Sequence, residues 1–356
     1  MNNSFTHPEF ADHERVVFIN DKVAGLQAII AVHNTQRGPA IGGCRMWPYE
    51  SADAALTDVL RLSRGMTYKN ALAGINSGGG KSVIIGDPRT DKTPALFTAM
   101  GAAIESLGGR YIVAEDSGTS PADMAVMAEV TSHVAGLESG SNSGDPSPST
   151  ALGVFLSIRE AVNFRFGQSD LFGVRVHIQG VGKVGFELAK LLVSNGAIVA
   201  ATDINEDNCR RARDELSIRI VSNDELLTGK SDVFAPCALG GVLNEWSIPT
   251  LNTAVIAGAA NNQLLTQEDD ARLVNAGILY CPDYLINAGG VIDVYQRRHG
   301  GTQEDIDAGV SAIAARLKSV LTEAELRSIS PERVTQERAE NLIKGRQNHS
   351  TTNVAA

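Results

Sequence analysis

The chain has 356 residues, of which 43% are hydrophobic and 20% are charged, and its formal net charge is -10. This length is typical of two domains, and this composition is typical of a globular rather than a disordered protein. The negative charge argues against a nucleic-acid partner, because phosphate binding needs a basic surface, and the apolar runs are too short to span a bilayer.

The N-terminal part of the chain alternates short β-branched runs with amphipathic segments, which predicts an α/β domain over residues 1–140. We predict strands near residues 15–20, 26–33, 82–86, 110–114 and 133–135. We predict helices near residues 52–64, 93–107 and 121–130. Ser51 is a suitable N-cap for the first of these helices, and Asp53 places a negative charge in its first turn.

Residues 139–149 consist only of Gly, Ser, Pro, Asn and Asp, which indicates a connector between domains. A long surface loop inside one domain is the alternative. After it, a helix over 150–164 and a second strand–helix alternation to about residue 288 predict another α/β domain, over residues 141–324. Helices near 305–326 and 331–345 complete the chain.

A G-x-G-x-x-G turn, with Gly180, Gly182 and Gly185, follows one predicted strand and precedes a predicted helix. The first glycine permits the tight turn, the second lets the backbone approach a pyrophosphate, and the third lets helix and strand pack closely. Asp203 ends the next predicted strand, where a carboxylate accepts hydrogen bonds from ribose hydroxyls. The following residue, Ile204, offers no cation to a 2′-phosphate. This pattern predicts a Rossmann-type domain that binds NAD rather than NADP, with a glycine turn that binds no ligand as the alternative.

Two lysines twelve residues apart, Lys69 and Lys81, lie in a stretch that is poor in other charges. Asp116 follows a predicted strand. Such a set suits chemistry on an amino acid, because one ammonium group can hold the substrate carboxylate. The other, crowded by positive charge and partly desolvated, can act as a base. Ordinary solvated surface lysines are the alternative interpretation.

Motifs at residues 38–46, 65–71, 78–81, 114–116, 146–151, 180–185, 236–241, 257–263 and 282–290 occur in order along the chain. With them the sequence resembles the glutamate, leucine, phenylalanine and valine dehydrogenases from about Val16 to Arg298, most closely the leucine and phenylalanine branch. The resemblance implies oxidative deamination of an apolar L-amino acid to its 2-oxo acid and ammonia, with NAD, and the reverse reductive amination. It also implies that a cleft separates an N-terminal substrate domain from the NAD domain, and that helices after about residue 325 pack back toward the former.

The resemblance further implies roles for individual residues. Lys81 is expected to be the base that activates water, Asp116 to relay protons to and from the amino group, and Lys69 to bind the substrate carboxylate. The other expected substrate-binding residues are Gly42, Gly43, Ile41, Met66, Ala114, Val291, Val294, Asn261 and Asn262. The expected cofactor-binding residues are Arg45, Thr150, Gly180, Val181, Gly182, Lys183, Val184, Gly185, Asp203, Ile204, Ala238, Leu239 and Asn261.

The identity of the substrate is the least constrained expectation. The residues expected around its side chain are apolar, and the two valines favour leucine, valine and isoleucine, while a phenylalanine or tryptophan dehydrogenase stays open. Glutamate is disfavoured, because glutamate enzymes of this family carry a lysine where Ile41 stands. A non-catalytic NAD-binding sensor is an alternative of another class, but it would be expected to lack Lys69, Lys81 or Asp116.

The remaining expectations concern metals, location and assembly. The four cysteines are widely spaced and form no C-x-x-C pair, so we expect no metal site. The N-terminal residues have neither a basic start nor an apolar signal core. We therefore expect a cytoplasmic protein, a homo-oligomer, whose partners are small molecules rather than nucleic acid or a membrane.

Overall fold

The computed structural model describes residues 4–137, 144–238 and 240–350. The chain divides into two compact units. The first consists of Met1–Asp145, Val294–Gly301 and Ala339–Ala356, and the second of Pro146–Asp293 and Thr302–Arg338. Each unit has its own sheet with helices, which confirms the predicted α/β class. Among the described residues, no helix is both long and apolar enough to cross a membrane.

The first unit contains a five-stranded mixed sheet. Its strands are β1 (Arg15–Asp21), β2 (Leu26–Asn34), β3 (Ala40–Trp47), β4 (Gly78–Ile85) and β5 (Tyr111–Glu115). They lie in the order β1-β2-β4-β3-β5. Strand β3 is parallel to β4 on one side and to β5 on the other, whereas β1 and β2 extend the sheet in antiparallel fashion. The position of β3 between β4 and β5 therefore brings residues of these two strands to either side of it.

Helices cover both faces of this sheet, and the alternation along β2 shows why. These helices are α1 (Ala52–Ala73), α2 (Pro94–Glu105) and α3 (Pro121–Ala128). Ala28 and Ile30 belong to the apolar core that contains the buried residues of α2 and α3, while Ile29 and Ala31 belong to the core beneath α1. Since successive side chains of a strand point to opposite faces, a continuous apolar strand is buried between two helical layers.

The second unit contains a six-stranded parallel sheet. Its strands are β6 (Arg175–Gln179), β7 (Ile198–Thr202), β8 (Arg219–Ile220), β9 (Val233–Pro236), β10 (Val255–Ile256) and β11 (Leu279–Tyr280). They lie in the order β11-β10-β9-β6-β7-β8, with every neighbouring pair parallel. This is the strand order of a doubly wound dinucleotide-binding sheet, in which ligands bind beyond the carboxyl ends of the central strands.

The remaining elements are helical. They are α4 (Ser147–Phe166), α5 (Lys183–Ser194), α6 (Glu206–Leu216), α7 (Asn223–Thr228), α8 (Glu268–Asn275), α9 (Asp283–Ile286), α10 (Gly289–Arg298), α11 (Gln303–Arg327), α12 (Pro331–Ser350) and the 3-10 helices Ser4–Thr6 and Ile248–Thr250. The residues of α12 up to Arg338 belong to the second unit, and those from Ala339 belong to the first.

Several elements differ from the sequence prediction. Strand β3 was not predicted, because its paired glycines resemble a loop, yet it is a largely buried strand between β4 and β5. Helix α1 continues beyond Arg64 through Gly65 to Ala73, since burial outweighs the cost of about 1 kcal/mol for an internal glycine.

The beginning of β4 was also not predicted, because it consists of glycines: the strand starts at Gly78 rather than at Ser82. The strand predicted at 133–135 is an isolated bridge at Val134. Helix α4 begins at Ser147, inside the predicted connector, whose residues 139–143 lie outside the described chain.

Candidate active site

Lys81 and Asp116 meet across strand β3 of the first sheet. Cys44 of β3 pairs with Ser82 of β4 on one side and with Glu115 of β5 on the other. The residues that precede these three are therefore also neighbours across the sheet. Gly43 on β3 lies between Lys81 on β4 and Ala114 on β5. Since Gly43 has no side chain, nothing separates the two groups, and Lys81 Nζ donates a hydrogen bond to Asp116 Oδ2.

The loop after β5 holds the Asp116 carboxylate in place. Its Oδ1 atom accepts a hydrogen bond from the Ser117 amide at 2.7 Å. The Asp116 amide donates to Thr119 Oγ1 at 3.0 Å, and that hydroxyl donates to the Cys44 carbonyl at 2.8 Å. Thr119 thus ties the loop back to β3, so that the carboxylate is fixed relative to the strand beneath it.

Arg45 supplies a second positive charge beside Asp116. Its Nε atom lies 3.7 Å from Asp116 Oδ2, and its Nη1 atom donates to Asp58 Oδ2 at 2.9 Å. Burial of the Asp116 carboxyl favours its neutral form. However, the charges of Lys81 and Arg45 outweigh this effect and hold the pKa of Asp116 well below its usual range. The cofactor contact expected for Arg45 stays a prediction, and within the first unit this residue has two carboxylate partners, Asp58 and Asp116.

The close packing of α1 on β4 brings a second buried lysine to the same region. A Cβ atom at Gly79 would lie 2.5 Å from Thr67 Cα, so the helix rests directly on the strand backbone there. Lys69 lies on the next part of this helix and is only 8% exposed, and Lys81 is 4% exposed. Burial of two ammonium groups is costly unless charged or polar partners compensate, which is typical of functional sites rather than of surface lysines.

The predicted substrate residues of the first unit lie on the same elements of the first unit, namely β3, β5 and α1. Ile41 is buried on β3, Ala114 lies opposite Gly43 on β5, and Met66 is half-buried on α1. A Cβ atom at Gly42 would lie 2.6 Å from the Gly80 carbonyl carbon, so this glycine is also required for strand packing. The strands and α1 therefore present both apolar side chains and the two lysines.

The predicted substrate residues in and near the second unit are placed as follows. Val291 and Val294 lie one turn apart on α10, with Val294 assigned to the first unit. Asn261 Oδ1 accepts a hydrogen bond from Asn287 Nδ2 at 3.1 Å, and Asn262 has a left-handed backbone with φ of 51°.

The glycine turn of the second unit has the sterics that a dinucleotide site needs. Gly180 has φ of 97°, which favours glycine, and a Cβ at Gly185 would overlap the Gly180 carbonyl oxygen. A Cβ at Gly182 would meet no atom within 4 Å, so the turn has open space where the motif approaches a pyrophosphate. Lys183 and Val184 begin α5, whose N-terminal amides face the turn.

Asp203 is held beside this turn by backbone donors. Its Oδ2 atom accepts from the Val181 amide at 2.8 Å, and its Oδ1 atom accepts from the Asn205 amide at 2.8 Å. Ile204 is fully exposed. The carboxylate is therefore preorganised at the end of β7, and the residues present fit a bound dinucleotide.

The other predicted cofactor residues also belong to the second unit. Thr150, in the first turn of α4, donates its hydroxyl to the Pro146 carbonyl at 3.0 Å. Ala238 lies against Gly180, where its Cβ would be 2.9 Å from a Cβ built on that glycine. Leu239 lies outside the described residues.

Four residues that support the site were not found from the sequence. Thr119 has a local signal, because a hydroxyl three residues after an aspartate often closes a turn. Tyr111 is fully buried on β5, and its hydroxyl donates to the Gly42 carbonyl at 2.9 Å. Asp58 and Tyr49 act through Arg45, and their positions along the chain carry no local signal.

Comparison with known proteins agrees with this geometry. The model of the Glu/Leu/Phe/Val dehydrogenase dimerisation domain matches residues 13–133, and that of Glutamate/Leucine/Phenylalanine/Valine dehydrogenase matches residues 204–325. Leucine dehydrogenase of Geobacillus stearothermophilus is 46% identical over 96% of this chain and 95% of its own. Phenylalanine dehydrogenase of Bacillus thermotolerans is 42% identical over 97% and 92%.

Solved structures show the same relation. The structure of L-tryptophan dehydrogenase from Nostoc punctiforme is 39% identical with a TM-score of 0.78, covering 95% of this chain and 97% of that one. The relatives are dehydrogenases, so the alternative of a non-catalytic sensor has no support from them. The chain belongs to the glutamate, leucine, phenylalanine and valine dehydrogenase family, as predicted from its motifs, and is an amino-acid dehydrogenase that uses a nicotinamide cofactor.

Proposed function

We propose that the protein catalyses the reversible NAD-dependent oxidative deamination of an apolar L-amino acid to its 2-oxo acid and ammonia, with leucine, valine and isoleucine preferred. The observation that carries this proposal is the contact of buried Lys81 with Asp116, together with buried Lys69 on the helix that packs against β4. Together these groups supply a cation that binds the substrate carboxylate, a base and a proton relay, all within the first unit.

Each of these residues has a distinct part in the reaction. Lys69 holds the substrate carboxylate, helped by the amide of either Asn261 or Asn262, and the bound nicotinamide ring supplies the hydride acceptor for Cα. Lys81 Nζ then takes a proton from the water that attacks the resulting iminium carbon. Asp116 carries protons to and from the amino nitrogen as ammonia leaves. Exclusion of bulk water strengthens the charge interactions on which these transfers depend.

The choice of NAD depends on Asp203 and the glycine turn. The two backbone hydrogen bonds to Asp203 hold its carboxylate in a position to accept hydrogen bonds from the ribose hydroxyls. The same charge repels a 2′-phosphate, and exposed Ile204 provides no cation to compensate. Thr150, Ala238 and Leu239 complete this cofactor site in our proposal.

The preference for branched aliphatic side chains depends on the apolar residues Ile41, Met66, Ala114, Val291 and Val294. Each buried methylene group stabilises binding by roughly 0.8 kcal/mol, so we expect leucine to exceed alanine by about two decades in kcat/KM. A carboxylate against Ile41 would have no partner there, which disfavours glutamate. The two β-branched valines form a stiff wall, which favours short branched side chains over aromatic ones.

A phenylalanine or tryptophan dehydrogenase is the second candidate function, because relatives with both aromatic substrates in their names cover nearly the whole chain. The deciding experiment measures kcat/KM of the purified protein for leucine, valine, phenylalanine, tryptophan, alanine and glutamate, with NAD. We expect leucine or valine to be the best substrate. A preference for phenylalanine or tryptophan of about tenfold or more, equivalent to about 1.4 kcal/mol, would favour the aromatic candidate instead.

We also propose that residues 1–140 form the substrate-binding domain and residues 141–324 the NAD-binding domain, with helices after about residue 325 packed toward the former. The match of residues 13–133 to a dimerisation domain supports a homo-oligomer. A reaction that consumes NAD and amino acids suits the cytoplasm, where both are available. Size-exclusion chromatography with light scattering tests the oligomer directly.

A further inference from the structure

The Asp116 carboxylate lies between two cations of different chemistry. Lys81 contacts its Oδ2 atom directly, and Arg45 Nε lies 3.7 Å from the same atom. That distance is suitable for an ion pair but too long for a hydrogen bond. The Nε–H group of Arg45 is buried and has no hydrogen-bond partner among the described residues. Arg45 therefore has a buried Nε–H donor close to Asp116 that makes no hydrogen bond within the described residues.

Two residues outside the catalytic pair hold Arg45 in this position. Asp58, on α1, accepts a hydrogen bond from Arg45 Nη1 at 2.9 Å, and Tyr49 donates its hydroxyl to the same Asp58 oxygen at 2.6 Å. Asp58 is thereby fixed by two donors, and its charge keeps the guanidinium group on this side of β3. A planar guanidinium with one edge occupied still has another donor for a second carboxylate.

The proposed reaction requires a second cation beside Asp116 whose charge does not depend on the protonation of Lys81. Lys81 has to be uncharged to accept a proton from water, and in that form it no longer neutralises Asp116. A buried carboxylate without a cation would take up a proton itself, and would then compete with Lys81 for the proton of water. An arginine stays charged at any pH at which the enzyme works, so it can fill this role throughout the cycle.

We infer that Arg45 is a positioning residue which, anchored by Asp58 and Tyr49, keeps Asp116 ionised while Lys81 is uncharged. When water reacts, one of its O–H bonds breaks and the proton moves to Lys81 Nζ, its oxygen bonds to the iminium carbon, and the π pair of the C=N bond moves to nitrogen, while the charge of Asp116 does not change. A proton that Asp116 receives from the substrate nitrogen is passed on quickly, because Arg45 destabilises the protonated acid. This inference rests on the roles proposed for Lys81 and Asp116, and it differs from the cofactor contact expected for Arg45.

Other titratable groups face this pair from the surrounding elements. Those that interact with Asp116 or Arg45 are Cys44 on β3, Lys81 on β4, Tyr111 on β5, Asp58 on α1 and Tyr49 after β3, while Asp123 on α3 interacts with Cys44. Burial raises the pKa of the Cys44 thiol to about 12 and raises the pKa of the Tyr111 and Tyr49 hydroxyls further above the neutral range, so these groups are uncharged. Asp123 is paired with Lys92 at 2.5 Å. Lys81 and Arg45 therefore control the ionisation of Asp116.

The test uses Lys81→Met, which resembles uncharged lysine in size, as a background. The protonation of Asp116 is followed by infrared difference spectroscopy over a pH series, and Lys81→Met/Asp116→Asn identifies its band. We expect Asp116 to stay ionised at neutral pH in Lys81→Met. In Lys81→Met/Arg45→Met we expect its protonation midpoint to rise by about 1–3 pH units. Lys81→Met/Arg45→Lys, which keeps a positive charge at this position, should restore most of the original midpoint.

A matched control removes an arginine charge elsewhere in the same unit. Arg89 pairs with Asp87 on the surface and is 84% exposed, so Arg89→Met in the same background should leave the midpoint unchanged. An unchanged midpoint in the Arg45→Met double variant would overturn the inference, provided that circular dichroism shows a folded protein. If Arg45→Met alone weakens NADH binding while the midpoint stays constant, Arg45 contacts the cofactor instead.

The spectroscopic result is independent of turnover. Retention of near-normal turnover by Lys81→Ala would contradict the proposed function of Lys81, whatever Arg45 does. Loss of turnover in Lys81→Ala together with an unmoved midpoint would contradict the inference about Arg45 alone.

Discussion

Gly43→Ala tests whether catalysis requires the absence of a side chain at this position of β3, between Lys81 and Asp116. A Cβ atom there would lie 2.6 Å from Asp116 Cβ, 3.1 Å from the Glu115 carbonyl oxygen and 3.2 Å from Asp116 Cγ. Ordinary van der Waals contact begins at 3.4 Å, so Asp116 has to move by nearly an ångström. Because the closest contact is with Asp116 Cβ, whose position the backbone sets, the backbone at Asp116 or β3 itself has to shift, and this displaces the carboxylate relative to Lys81 and strains the turn that Thr119 ties to β3.

The expected catalytic loss follows from this displacement. A misplacement of about 1 Å at a catalytic group can lower the rate by about two orders of magnitude, equivalent to about 2.7 kcal/mol in the activation free energy. Overpacking should also lower the free energy of unfolding by about 1–3 kcal/mol. The dissociation constant of NADH should stay close to its original value, because Gly43 belongs to the first unit and the glycine turn to the second.

The assay compares kcat, KM and the NADH dissociation constant of Gly43→Ala with those of the unmodified enzyme, well below the melting temperature of the variant. Gly345→Ala is the matched control, since a Cβ there meets no atom within 4 Å. It should retain full activity and gain a little helix stability. A Gly43→Ala enzyme with unchanged kcat and kcat/KM would refute the argument that Lys81 and Asp116 need this space, and a rise in KM alone would favour a substrate-binding role for Gly43.

Three further predictions concern other parts of the molecule. Lys81→Ala and Asp116→Asn should each remove most turnover, measured as NADH formation, while the affinity for NADH stays nearly unchanged. Normal turnover in either variant would show that the base or the proton relay is wrongly assigned. Asp203→Ala should weaken NAD binding more than NADP binding, and equal efficiency of the unmodified enzyme with both cofactors would contradict its proposed role. Burial and Asp283 raise the pKa of Glu332 to about 8 from its usual 4.5, and Tyr284 donates to its Oε1 atom at 2.9 Å. Because the folded state keeps a proton that the unfolded state loses, this group's contribution to stability is full below about pH 4.5 and falls by about 1.4 kcal/mol per pH unit as the pH rises toward 8. Glu332→Gln should therefore reduce the fall in melting temperature between about pH 5 and pH 8, and a variant with the same pH dependence as the unmodified enzyme would contradict this account.

The sequence by itself determined the fold class, the family and the type of cofactor site. These depend on constraints among residues that are close in the sequence. A glycine turn between strand and helix requires φ above zero at Gly180 and no side chain at Gly185, and the sequence shows a glycine at both positions. The alternation of elements likewise depends on residues that are close in the chain. Lys69, Lys81 and Asp116 were identified because their charges stand out in an apolar stretch and match the motifs of a known family.

Only the tertiary structure decided how these groups act on one another. Strand β3 lies between β4 and β5, so that Lys81 and Asp116 meet over Gly43, although 35 residues separate them in sequence. The pairing of Arg45 with Asp58 and Asp116, and the burial of Glu332 beside Tyr284, have no local pattern either. Such contacts depend on which strands become neighbours and on which helix covers them, and long-range packing sets both.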